Sequence, residues 1–256
     1  VRQLNLLLYA GKYEFLMQIR RPLNWAIPLV LWLCVSWNMW HALTAPWQAI
    51  SLSSLLGSFL IPQQSTWPVA IGMLIADRLP RDRHYHVQDL FAATPARADI
   101  RFLGPYLGST LAALLPFALC YWLNIGILFL ATHVLKVWLS GLEAFASVLL
   151  PGILFVNAFS LICPAFIWTP LYRCLLLGYW LWGNMLSTTS TIPTLSGTVL
   201  TPIGGTALNA FFGLHYWGNS VSTTGDALLS IALLVGLAML IIAAFAGVQE
   251  QLQLRR

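Results

Sequence analysis

Metal or acid–base chemistry in this chain would have to be built from five histidines, four cysteines and eight acidic residues, and their spacing argues against both. His41, His133 and His215 fall near one predicted membrane face. They lack His-x-x-x-His spacing, and no carboxylate or cysteine cluster accompanies them, so a metal or haem site is disfavoured. His84 and His86 sit in a charged loop, where interface polarity is the simpler account than a metal. Cys34, Cys120, Cys163 and Cys174 lie within or at the ends of apolar segments without C-x-x-C spacing and read as packing residues. Two carboxylates, a His pair or a Ser-His group at membrane depth would be needed for an intramembrane enzyme, and that inventory is too thin. There is no G-x-x-x-x-G-K-[ST] stretch, and Lys12 and Lys136 are the only lysines. Any ATP hydrolysis linked to this protein must come from another chain, which would bind the ATP and Mg; no cofactor is expected in this one.

Two polar stretches remain. Residues 78–102, RLPRDRHYHVQDLFAATPARADIRF, hold five arginines and three aspartates. Val87, Leu90 and Phe91 recur at helical spacing as one apolar patch among Asp82, His84, His86, Gln88 and Asp89, which predicts a short amphipathic helix. Thr94-Pro95 stops it and opens the next helix, with Arg97, Asp99 and Arg101 on the first turns. A polar helix with a small apolar face at the tip of two spans is a docking element. The plainer alternative is a solvated loop whose arginines anchor topology and touch lipid head groups. The second stretch, Pro62-Gln63-Gln64-Ser65-Thr66, is neutral.

The elements that position these groups are membrane helices. Apolar residues make up 59% of the chain and charged residues 8%, where soluble domains carry roughly 25% charged; the mean hydropathy is +0.76. At ~20 apolar residues per span, the expected architecture is all-α and polytopic. Six spans form a single transmembrane domain over 1–256: Leu23–Leu43, a second ending at Ala76, Leu103 to about Thr132, Leu142–Phe166, a fifth from Leu171 that fades by Ser187, and Ala227–Val248. Residues 1–21 read as an interfacial helix with Leu4, Leu8, Phe15 and Ile19 on one stripe. The N-terminus shows no small-residue cleavage pattern, so no removable signal peptide is expected. Residues 187–226 are rich in Ser, Thr, Gly and Pro and carry Asp226 as their sole charge, which suggests outer re-entrant helices. Thr169-Pro170 reads as an N-cap followed by a proline at the first helical position.

Six spans put both termini on one side. That side collects twelve basic residues, and the other only Lys136. By the positive-inside rule both termini and the 78–102 loop are cytoplasmic, in a multi-pass protein of the cell membrane. The net charge of +5 follows from this topology and does not call for nucleic acid.

Trp25, Trp37, Trp40, Trp47, Trp180, Trp182 and Trp217 cluster near predicted interfaces as an aromatic belt. Because the second span is too short without it, the 62–66 cluster must lie within the membrane. Gln63, Gln64, Ser65 and Thr66, followed by Asn38, Asn124, Asn157 and Asn184, are candidates to line a pathway; helix-to-helix hydrogen bonding is their ordinary role. Glu143, Asp226 and Arg173 sit near span ends, so no ionisable group occupies mid-membrane, where ion-coupled carriers place theirs.

An N-terminal interfacial helix, six spans, and a loop reading ADRLPRDRHYHVQDLFAATPARADI resemble the type-2 ABC transporter permease family. The carrying residues are Asp77, Arg78, Arg81 to Arg83, Leu90, and Ala93-Thr94-Pro95 with Arg97. The resemblance implies a coupling helix at about His84 to Ala93 that sits in a groove of an ATPase subunit. Arg83, His84, His86, Val87, Asp89, Leu90, Phe91, Thr94 and Arg97 would form that contact. It further implies a permease subunit of an ATP-driven exporter, paired with a second copy or a sister permease and with ABC ATPase subunits. Gln63, Gln64, Ser65, Thr66 and Asn157 would line the pathway. Two classes compete with it: a self-contained carrier or channel without an ATPase partner, and a purely structural membrane partner.

Overall fold

The computed structural model describes residues 2–44, 52–84, 98–186, 193–214 and 222–254, and all regular structure among them is helical. In chain order the helices are α1 (Arg2–Ile19), α2 (Leu23–Thr44), α3 (Leu52–Ile75), α4 (Arg78–His84), α5 (Ala98–Thr132) and α6 (Lys136–Ala144). They continue with α7 (Leu150–Ile162), α8 (Thr169–Trp180), α9 (Gly205–Phe212) and α10 (Thr224–Leu254). Phe145–Leu149 and Leu181–Met185 are π-helical turns, the first joining α6 to α7 and the second extending α8. Three stretches, Leu103–Thr132, Lys136–Ala165 and Thr224–Gly247, are long and apolar enough to cross a membrane. Helix also fills the three other stretches read as spans.

The exposed surface explains why these helices do not pack for water. Leu107, Leu111, Leu115, Leu119 and Leu123 form a four-residue repeat along the outside of α5, while Ala113, Phe117, Tyr121 and Asn124 on its other side are buried. Such a stripe would be an aggregation surface in water and is an ordinary lipid-facing surface in a bilayer. Inside, Trp67 packs edge-on to Phe117 with centroids 5.2 Å apart, and Phe59 to Tyr121 at 6.0 Å. The Tyr121 hydroxyl donates to the Gly141 carbonyl at 2.7 Å, tying α5 to α6.

α3 is one continuous helix through the neutral polar run despite Pro62 and Pro68. A proline removes a ladder donor, so neighbours must satisfy carbonyls at this depth. Ser65 and Thr66 hydroxyls both donate to the Pro62 carbonyl at 2.8 Å, and the Trp180 indole donates to the Ser65 carbonyl at 2.7 Å. Trp180 is therefore a buried strut between α3 and α8 rather than the belt residue expected from its position. Trp25, Trp37, Trp40 and Trp182 are exposed as a belt requires; Trp47 and Trp217 lie outside the described residues.

Two boundaries differ from expectation. α6 begins at Lys136, ahead of Leu142, because His133 adopts φ 53° and closes the turn with its N–H on the Phe129 carbonyl at 2.7 Å. Thr169 is already helical; the extended residue before α8 is Trp168, and no side chain caps it.

α1 runs alongside α5 with its backbone pressed into Gly104-x-x-x-Gly108. A Cβ on Gly108 would lie 2.3 Å from the Gly11 carbonyl oxygen, and one on Gly104 2.8 Å from the Ala10 Cβ. This is the small-residue spacing by which membrane helices approach closely. Gly108→Val is expected to destabilise the protein by about 1–3 kcal/mol through forced separation of the two helices. Limited proteolysis in detergent, read as faster cleavage within α1, checks it.

Residues 193–214 turn back against the bundle. Gly197 and Gly204 have φ of 82° and 75°, and Thr201 to Asn209 are all buried. Asp226 works locally: its carboxylate accepts from the Thr223 N–H at 2.9 Å and hydroxyl at 2.8 Å, while the Asp226 N–H donates to the Thr223 hydroxyl at 3.2 Å. That reciprocal cap starts α10.

Candidate functional site

Two groups of polar side chains stand out. The first lies where α3 ends and the charged loop begins. Arg78, on the first turn of α4, grips Glu14 of α1 with both arms of its guanidinium: Nε donates to Oε1, and Nη2 donates to Oε2 at 2.5 Å. Gln18, one turn along α1, donates its amide to Glu14 Oε1 at 3.0 Å. The pair is almost wholly buried, at 3% and 4% exposure for Arg78 and Glu14. Next in sequence, Asp77 accepts from Arg173 Nη2 of α8 at 2.5 Å, and the same nitrogen donates to the Met73 carbonyl at 3.3 Å. This second pair is 39% and 49% exposed.

The two pairs tie α1, the α3–α4 corner and α8 together. Fork-to-fork pairing fixes orientation as well as distance, as a lysine's point charge would not. Arg21, half-buried beside them, has its guanidinium pushed below the ordinary value, first by burial and then by the Arg78 charge, against the opposing pull of Glu14 and Asp77. Among the described side chains, three arginines thus face two carboxylates here.

α1 turns a carboxylate and an amide inward, which its stripe of apolar residues did not indicate; of that stripe Leu8 is exposed while Phe15 and Ile19 are half-buried. Tyr9, Tyr13, Leu16 and Met17 are exposed as well, whereas Glu14 and Gln18 face inward. The physical cause is Arg78: an inward cation at a span end needs a carboxylate more than the interior needs another leucine. From sequence the pair is invisible because its members are 64 positions apart. The Gly104-x-x-x-Gly108 spacing, which shows which helix α1 packs on, was the legible signal.

The second group is neutral and deep. Gln63 and Gln64 lie near the centre of α3, roughly 17 Å from either end at 1.5 Å per residue, and are 0% and 1% exposed. Neither carboxamide, on either its oxygen or its nitrogen, has a hydrogen-bond partner among the described residues. The Trp67 indole N–H and both side-chain polar atoms of Asn157, on α7, are likewise buried and unpartnered. Desolvating such a group costs about 1–3 kcal/mol by protein mutational data, so several together are a substantial liability.

The pathway candidates therefore separate by chemistry. Ser65 and Thr66 spend their hydroxyls on the Pro62 carbonyl. Asn124 is packing glue, accepting from the Trp32 indole at 2.9 Å and the Ser36 hydroxyl at 3.3 Å. Asn184 donates to the Trp180 carbonyl at 3.3 Å. Asn124 Nδ2 and Asn184 Oδ1 find no partner among the described residues, but only Gln63, Gln64 and Asn157 leave the whole side-chain amide unbonded there; the helices that carry these three, α3 and α7, pack together.

Of the loop residues, the backbones of Arg83 and His84 end α4. Their side chains, and His86, Val87, Asp89, Leu90, Phe91, Thr94 and Arg97 entirely, lie outside the described residues, as does the predicted 84–93 helix. Among the described residues no three His, Cys, Asp or Glu side chains gather. Cys120 is buried with its thiol 3.9 Å from the Pro28 carbonyl, whereas Cys34 and Cys174 are exposed. No family model matches this chain, and no curated protein matches its sequence.

Proposed function

We propose that this chain is the membrane-spanning permease subunit of an ATP-driven exporter of the type-2 ABC class. It would work with a separate ATPase and a second permease copy or sister chain. The observation that carries the reading is the buried Glu14–Arg78 pair at the root of the charged loop. A force applied to that loop reaches α1, α3 and, through Asp77–Arg173, α8 without slack. Support also comes from the family-like loop sequence and from the lack of any phosphate-binding lysine motif in this chain. Six spans, cytoplasmic termini and outer re-entrant helices formed by part of 187–226 belong to the same proposal.

The test is affinity purification of this chain from its native membranes in mild detergent, with an ATPase assay on the product. A co-purifying P-loop subunit is expected. Leu90→Asp and Phe91→Asp are each expected to leave insertion intact and to lower ATP-driven transport about tenfold or more, as burying a charge in an apolar contact does. Wild-type coupling in both variants would remove the docking role of the 84–93 segment. A specific observation favours a second reading: the unpartnered amides of Gln63, Gln64 and Asn157 lie within one chain, as a self-contained carrier or channel requires. Transport by the purified chain without ATP would establish that alternative.

A further inference from the structure

The proposed loop coupling leaves the interior amides unused, and they carry an inference that needs no partner subunit. Gln63, Gln64 and Trp67 share one turn of α3, at i, i+1 and i+4, and all three are at most 1% exposed. Helical spacing places Trp67 over both glutamines. Between them they present two carbonyl oxygens, two amide nitrogens and one indole N–H, none with a partner among the described residues. Asn157, on α7, lies further along: its neighbours Val156 and Ser160 face Gly72, about 12 Å from Gln64 at 1.5 Å per residue, so it stands outside this turn. No Asp, Glu, Lys or Arg occurs anywhere in α3 or α7.

We infer that this turn of α3 is a hydrated site in the bundle interior that binds water through neutral donors and acceptors. Buried water sits where two to four polar groups converge, and unlined apolar cavities stay dry. Donors and acceptors are both present, which suits water and other uncharged hydroxyl-bearing molecules. An ion would find no countercharge here. The residues overlap the proposed pathway, but the inference rests on the single chain.

Two buried tryptophans provide an internal comparison. Trp67 is 0% and Trp180 1% exposed, yet the Trp180 indole donates to the Ser65 carbonyl at 2.7 Å and the Trp67 indole has no partner among the described residues. Radiolysis of bound water produces hydroxyl radicals in place, so a brief X-ray pulse on the intact protein in detergent oxidises tryptophans beside internal water. Trp67 is expected to oxidise about tenfold faster than Trp180, as residues lining buried water should. Equal rates, slow or fast, would overturn the inference. In a Gln63→Leu, Gln64→Met double variant the Trp67 rate is expected to fall to that of Trp180, with the Trp180 rate unchanged as the measure of intact packing. Should that variant not fold, the wild-type comparison still decides. Since no ATPase is present in the measurement, its failure would leave the permease proposal standing, and a failed purification of a partner would leave the site standing.

Discussion

Glu14→Ala is expected to lower the unfolding free energy by about 3–5 kcal/mol, the range seen when one member of a buried ion pair is removed. The reason lies in what it leaves behind. Arg78 is 3% exposed and loses a carboxylate that holds both Nε and Nη2. Gln18 loses its acceptor in the same stroke. SDS titration of the detergent-solubilised protein, followed by tryptophan fluorescence, reads the change. Replacing both members, Glu14→Met with Arg78→Met, is expected to recover most of the loss, since it removes the buried cation along with its carboxylate. The Asp77–Arg173 bridge should behave differently. Its side chains are 49% and 39% exposed, and Arg173→Ala is expected to cost under about 1 kcal/mol. A loss of several kcal/mol in Arg173→Ala, or none in Glu14→Ala, would reverse the ranking of the two struts. The double-Met variant also tests function, because it restores stability without restoring the directional pairing. If the pair transmits force from the loop, that variant folds yet transports poorly.

Composition and apolar run lengths were enough to place helix in all six stretches read as spans, three of which have the length and hydropathy to cross a membrane. Those quantities are local sums, and lipid rewards them directly. What escaped was the set of contacts made by minority residues. Helical periodicity puts Leu4, Leu8, Phe15 and Ile19 on one stripe of α1 but does not say which side faces lipid; Glu14 and Gln18 decide that through a partner on another helix. Trp180 looked like a belt residue from its place near a span end, and the α3 carbonyl that holds it could not be seen from position. Within Gln63-Gln64-Ser65-Thr66 the sequence shows four similar polar side chains. Only geometry separates the hydroxyls, short enough to fold back onto the Pro62 carbonyl, from the amides, which find no partner among the described residues.

Gly152→Ala is expected to be among the most damaging single-methyl additions in the protein. The added Cβ would lie 2.0 Å from the Pro202 carbonyl oxygen, a backbone atom that cannot rotate away. Overpacking of this kind costs about 1–3 kcal/mol and sometimes more. Here the strain acts on the buried Thr201–Asn209 stretch, which is further pinned by Gly204. A Cβ there would meet the Val148 carbonyl at 2.6 Å on a backbone already at φ 75°. The π turn at Phe145–Leu149 belongs to the same contact: the Leu150 N–H reaches back to the Phe145 carbonyl, and Pro151 follows with no N–H to offer. One methyl at Gly152 should therefore displace residues 201–209, and protease sensitivity between 193 and 214 would report it. The control is Gly178→Ala on α8, where the added Cβ would meet no atom of another element within 4 Å among the described residues. There alanine's better helix propensity should stabilise by up to about 1 kcal/mol. Opposite signs from the same substitution would establish that 193–214 is seated in the bundle through Gly152; equal, small effects would mean that the segment lifts away freely.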